Sequence, residues 1–105
     1  MKTSELIGPA LSWAVALAEG NPYVWKLRHR HIKGWDDYAT DWAKAGPIIE
    51  AKRLGVLFKP EDQAWWSAPL DGDVEHLGDT PLIAAMRAYV AASLGPEIEV
   101  PDDIV

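Results

Sequence analysis

The amino-acid sequence predicts an α+β domain: two main helices, about residues 4–19 and 81–94, packed on a small, mostly antiparallel sheet of short strands with long loops. Three observations predict it. Apolar residues recur at helical spacing in those two stretches. Between them, short runs with alternating or continuous apolar residues are punctuated by Gly and Pro. A chain of 105 residues supports one hydrophobic core, so residues 1–105 read as a single domain.

The first helix opens at Thr3, a residue type suited to capping, with Ser4 and Glu5 in its first turn. Leu6, Ala10, Trp13, Ala14 and Leu17 form one stripe, and Leu11, Val15 and Ala18 form a second. A helix apolar on two faces is buried or meets a second chain. Pro9 separates the first turn from a solid part at 9–19, and Gly20 with Pro22 marks the end.

Residues 23–32 read as a strand, with Tyr23, Trp25 and Leu27 set against Lys26, Arg28 and Arg30. Gly34 ends it. Residues 34–47 read as a long loop, and Pro47 opens a short helix over 47–54, stopped by Gly55. Thr40-Asp41 can cap residues 42–45. Val56-Leu57-Phe58 and Trp65-Trp66-Ser67-Ala68 read as short extended runs. The last helix is capped by Thr80, takes Pro81 at its first position, and stops at Gly95-Pro96. Its many alanines keep it thin. Glu97-Ile98-Glu99-Val100 alternates like an edge strand, ended by Pro101.

Composition excludes several function classes. With no Cys there is no disulfide framework and no thiolate metal site or nucleophile. No apolar run reaches the ~20 residues of a membrane span, and Glu5 interrupts any signal-peptide form; the expected location is the cytoplasm. Residues 1–59 carry nine Lys/Arg against six Asp/Glu, net +3, whereas residues 60–105 carry one against ten, net −9. That balance opposes duplex nucleic-acid binding, while a local basic patch can hold a small anion.

Six Trp residues (13, 25, 35, 42, 65 and 66) are either an aromatic core or the lining of a pocket. Lys26, Arg28, Arg30 and Lys33 make a basic stripe suited to phosphate, or a charged strand face that blocks aggregation. Asp36, Asp37 and Asp41 surround Trp35, Tyr38 and Trp42 in a turn-rich stretch where Asp normally caps. His29-Arg30-His31 has no third ligand at metal-site spacing. Arg87 is the only cation after Lys59, and is a surface charge, a partner for a loop carboxylate such as Asp41, or a ligand contact. No nucleophile–base pair, Gly-rich phosphate loop or catalytic motif is present, so no enzymatic activity, metal or cofactor is expected.

Three segments resemble the NinX-like family of small tailed-phage proteins, named after the nin region of P22-like phages. They are Glu5-Leu6 with Leu11-Ser12-Trp13-Ala14-Val15-Ala16 and Ala18-Glu19-Gly20, then Thr40-Asp41-Trp42 with Gly46-Pro47-Ile48-Ile49-Glu50, then Thr80 through Arg87 with Tyr89-Val90-Ala91 and Leu94-Gly95. Ala45 and Ala51 depart from the family's tendencies, and residues 23–33 lie outside the resemblance. The resemblance implies a phage or prophage accessory protein and no particular activity, cofactor or catalytic residue.

Together these features predict a non-enzymatic binder of a small anionic or nucleotide-like ligand, most concretely a nucleotide-derived host immune signal held by a homo-oligomer in the host cytoplasm. Trp35, Tyr38, Trp42, Trp65 and Trp66 would stack on the base. Arg28, Arg30 or Arg87 would meet phosphate, and Thr40 and Asp41 the sugar or base edge. The alternative is a protein-interaction module with the acidic second half as contact surface; a third reading is single-stranded nucleic-acid binding.

Overall fold

The computed structural model describes residues 2–20, 38–69 and 75–100. The strand expected over 23–32 lies outside them, with Arg28, Arg30, both histidines of that stretch, Trp35, Asp36 and Asp37.

Among the described residues, helices α1 (Gly8–Ala18), α2 (Trp42–Ala51) and α3 (Pro81–Leu94) accompany a sheet of β1 (Leu54–Lys59), β2 (Ala64–Pro69) and β3 (His76–Gly78). The sheet is antiparallel, in the order β1-β2-β3. This is the expected α+β class.

The first helix begins later than its apolar stripe suggests. Thr3–Glu5 is a separate 3-10 turn, Leu6 and Ile7 are extended, and α1 starts at Gly8 with Pro9 in its first turn. Thr3 caps nothing. It is fully buried, and its hydroxyl donates to the Gly95 carbonyl at 2.7 Å while its N–H donates to the Pro96 carbonyl at 2.8 Å. The amino end is thereby tied to the end of α3. Gly20, at φ +70°, ends α1 in the left-handed region and donates its N–H to the Leu17 carbonyl.

The middle helix is displaced from expectation. Asp41 accepts the Ala43 N–H at 2.9 Å, so α2 begins at Trp42 rather than Pro47 and ends at Ala51 rather than 54. Pro47 lies inside it, on an exposed position, and removes one helical N–H. A proline can open a helix, but a good cap six residues upstream opened this one earlier. The last helix matches its expected bounds: Thr80 Oγ1 accepts the Ile83 N–H at 3.1 Å, and Pro81 takes the first position. The expected edge strand over 97–100 reduces to a single bridge, Lys2 to Glu97.

The core lies between α1, α3 and the inner face of the sheet, around Leu6, Leu11, Val15, Met86 and Val90, all with no exposed surface. Every residue from Ala10 to Ala16 is buried, so most of both apolar faces of α1 is covered within the chain, while Leu17 is 39% exposed. Cross-strand pairs Val56–Ser67 and Trp65–Gly78 share the face turned to α3, whereas Leu57, Trp66 and Leu77 form one row across the opposite face. Leu57 is 55% and Leu77 38% exposed.

Gly78 allows α3 to sit against β3. A Cβ there would lie 2.6 Å from the Ala84 nitrogen and 2.8 Å from Ile83 Cγ2. Because the first neighbour is backbone, Gly78→Ala must push the helix off the sheet. Chemical denaturation is expected to show a loss of about 2 kcal/mol.

Candidate functional site

Two clefts collect polar side chains, and they differ in charge. The first, of about 440 Å³, is lined by Glu19, Tyr38, Lys44, Pro47, Ile48, Ala51 and Lys52. The second, of about 490 Å³, includes Ser4, Glu75, His76, Asp79 and Arg87.

The first cleft is built by α2 and the carboxyl end of α1. Lys44 and Ile48 in α2 and Lys52 at its C-cap are spaced by four and therefore share a face. Pro47, Ile48 and Ala51 supply apolar surface and Tyr38 an aromatic ring, and the charged side chains among the described lining residues are Lys44, Lys52 and Glu19. Behind them Tyr89, 4% exposed, donates its O–H to Glu19 Oε2 in a short hydrogen bond. Lys52 Nζ stands 6.0 Å from the centre of the Tyr89 ring, a cation–π distance.

Burial first, and the Glu19 bond second, push the Tyr89 phenol up to about 12. Tyr89 therefore stays protonated and donates throughout the physiological range. A raised phenol pKa contributes stability that is complete below about pH 10 and is lost as pH rises through about 12. Alkaline titration of folding is expected to fall more steeply over that window in the native chain than in Tyr89→Phe.

The second cleft has the opposite character. Arg87 Nε donates to the Leu6 carbonyl and Nη1 to the Leu77 carbonyl, each at 2.7 Å. Its guanidinium is spent on joining the lead-in to α1, strand β3 and helix α3. Burial lowers its pKa while nearby Asp79 opposes that, and it stays charged. His76 is pulled down by burial and then by Arg87, which favours the neutral ring. Glu75 is paired with Lys59 Nζ at 2.9 Å and Asp79 stands near Arg87, so the described lining leaves no cation in excess for an anion.

The predicted site residues divide accordingly. Tyr38 lines the first cleft and Arg87 the second. Arg87 meets backbone carbonyls, not Asp41. Asp41 is occupied as the cap of α2, Thr40 is exposed, and Trp42, at the first position of α2, is 55% exposed. Trp65 and Trp66 alternate along β2 and point to opposite faces of the sheet, so they cannot stack on one base together. Trp65 makes an edge contact with Phe58, and Trp66 lies under Lys59 Nζ at 5.7 Å. Trp13 belongs to the core. Trp35, Arg28 and Arg30 are outside the described residues.

Glu19, Lys44, Lys52 and Tyr89 were not anticipated. The available signal was the spacing of Lys44, Ile48 and Lys52, legible only once the helix is started at Asp41. Among the described residues, no three His, Asp or Glu side chains gather where a metal ion could be held, and no helix is long and apolar enough to cross a membrane.

The model of the family described as Bacteriophage P22, NinX matches residues 2–93. The match spans the basic stretch 23–33, which the three resembling segments had left out. No curated protein matches the chain.

Proposed function

The chain belongs to the NinX family of phage proteins, and from that premise we propose that it is a non-enzymatic accessory protein that binds a small anionic ligand between α1 and α2. The observation that carries this reading is the first cleft: Lys44 and Lys52 share its lining with apolar surface and the Tyr38 ring. Two cations attract phosphate, and a ring over aliphatic side chains receives a base or other flat group. In its most concrete form the ligand is a nucleotide-derived signal of host defence, sequestered in the host cytoplasm. The binding site thus moves from the tryptophans and Arg87 to Tyr38, Lys44 and Lys52.

Thermal shift against nucleotides, cyclic dinucleotides and cyclic ADP-ribose isomers tests it. A ligand at a hundred times its dissociation constant adds about 2.7 kcal/mol, which raises the midpoint of a chain this size by roughly 10 °C. A flat response from a sharply melting protein contradicts the reading.

A protein-interaction module is the second reading, favoured by the row across the outer sheet face in which exposed Leu57 and Leu77 flank a half-buried Trp66. That row, and not α1, would also carry self-association. Sedimentation at increasing concentration distinguishes a homo-oligomer from a surface kept for another protein.

A further inference from the structure

We propose that the first cleft selects guanine-type nucleotides, with the Glu19 carboxylate accepting from the N1–H and N2–H₂ edge of the base while Lys44 and Lys52 meet the phosphate. This rests on the ligand-binding reading above and deepens it. A carboxylate at an anion site needs a reason, because it repels the group that the lysines attract. Glu19 is also placed against local rules: it caps the carboxyl end of α1, where the helix dipole disfavours an acid. Local rules are broken most often where function demands it.

The fixed partner of Glu19 defines what it can recognise. The buried Tyr89 O–H donates to Oε2 and pins the carboxylate. A carboxylate offers about four acceptor positions, so capacity for a ligand remains. A ligand that satisfies this cleft carries both hydrogen-bond donors and negative charge. A polyamine meets Glu19 but is repelled by both lysines. Inorganic phosphate meets the lysines but is repelled by Glu19.

Among the bases, guanine alone presents two adjacent N–H donors on one edge, a match for the two oxygens of a carboxylate of the kind that makes bidentate pairs specific. Adenine and cytosine place an acceptor beside their amino group. Uracil places a carbonyl on each side of its one N–H. Each sets an acceptor against the carboxylate. The volume of about 440 Å³ lies toward the small end of ligand pockets, which run from roughly 300 to 1,000 Å³, so the site takes one nucleotide unit.

Calorimetric titration with GMP, IMP and AMP, on the native chain and on Glu19→Gln, is the test. The amide of Glu19→Gln can still accept from Tyr89 through its oxygen, so the fold is retained, and a thermal melt verifies this. GMP is expected to bind, IMP about tenfold more weakly for its missing amino group, and AMP at least a hundredfold more weakly. In Glu19→Gln the GMP preference should collapse. Equal affinity for GMP and AMP overturns guanine selection and leaves the ligand-binding reading standing. A GMP preference that survives Glu19→Gln overturns the role of Glu19. No binding by any of the three overturns guanine selection, and the thermal-shift panel then decides separately whether another anion binds.

Discussion

Arg87→Ala is expected to cost about 3 kcal/mol of stability and to lower the melting midpoint by roughly 10–15 °C. Arg87 makes two charge-assisted hydrogen bonds to main-chain carbonyls eighty-one and ten residues away in sequence, Leu6 and Leu77. Each such bond contributes about 1.5–3 kcal/mol, and its loss leaves a carbonyl without its donor. Partial exposure of the guanidinium places the sum toward the lower part of that range. Arg87→Lys should restore little, since one ammonium on a flexible stem does not reproduce the planar fork that spans two acceptors. Denaturation of both variants checks this. An Arg87→Ala protein with native stability but no ligand binding would return Arg87 to the role of ligand contact.

Reversing the two cations of the first cleft, Lys44→Glu with Lys52→Glu, is expected to weaken binding of an anionic ligand more than a hundredfold. Each reversal replaces attraction by repulsion at a distance where charge pairs exchange on the order of 1–4 kcal/mol near a protein surface. The fold should survive, because Lys52 is exposed and Lys44 is only half-buried. Loss of the contact between Lys52 and the Tyr89 ring costs roughly 0.5–1 kcal/mol. Titration calorimetry and a thermal melt on one preparation separate the effects.

Capping chemistry made α3 legible to the residue. Thr80, Pro81 and Gly95 are local signals, and nothing distant opposes them. The class of the fold followed from the same kind of evidence. The start of α1 was less legible, because Thr3 has the composition of a cap but is claimed by the Gly95 carbonyl ninety-two residues away. Such a contact leaves no periodicity. Strand β3 spans three residues, too short for alternation to register, and exists through its pairing with β2.

The candidate site was legible in one wall only. Tyr38 stood out as an aromatic beside carboxylates. Arg87 also stood out, as an isolated cation, but isolation in sequence does not separate a charge that meets a ligand from one that meets main-chain carbonyls. Lys44 and Lys52 were hidden by the late start given to α2, which put them on different elements. Glu19 and Tyr89 come together only in three dimensions, seventy residues apart.

The central claim is that an anionic nucleotide binds between α1 and α2, and amide chemical-shift mapping tests it most directly. Uniformly labelled protein would be titrated with GMP and followed residue by residue. The account predicts saturable shifts centred on Glu19, Tyr38, Lys44, Ile48 and Lys52, with the Leu57–Trp66–Leu77 face unmoved. Shifts centred on Arg87 and His76, or a spectrum unchanged at millimolar GMP, would contradict it.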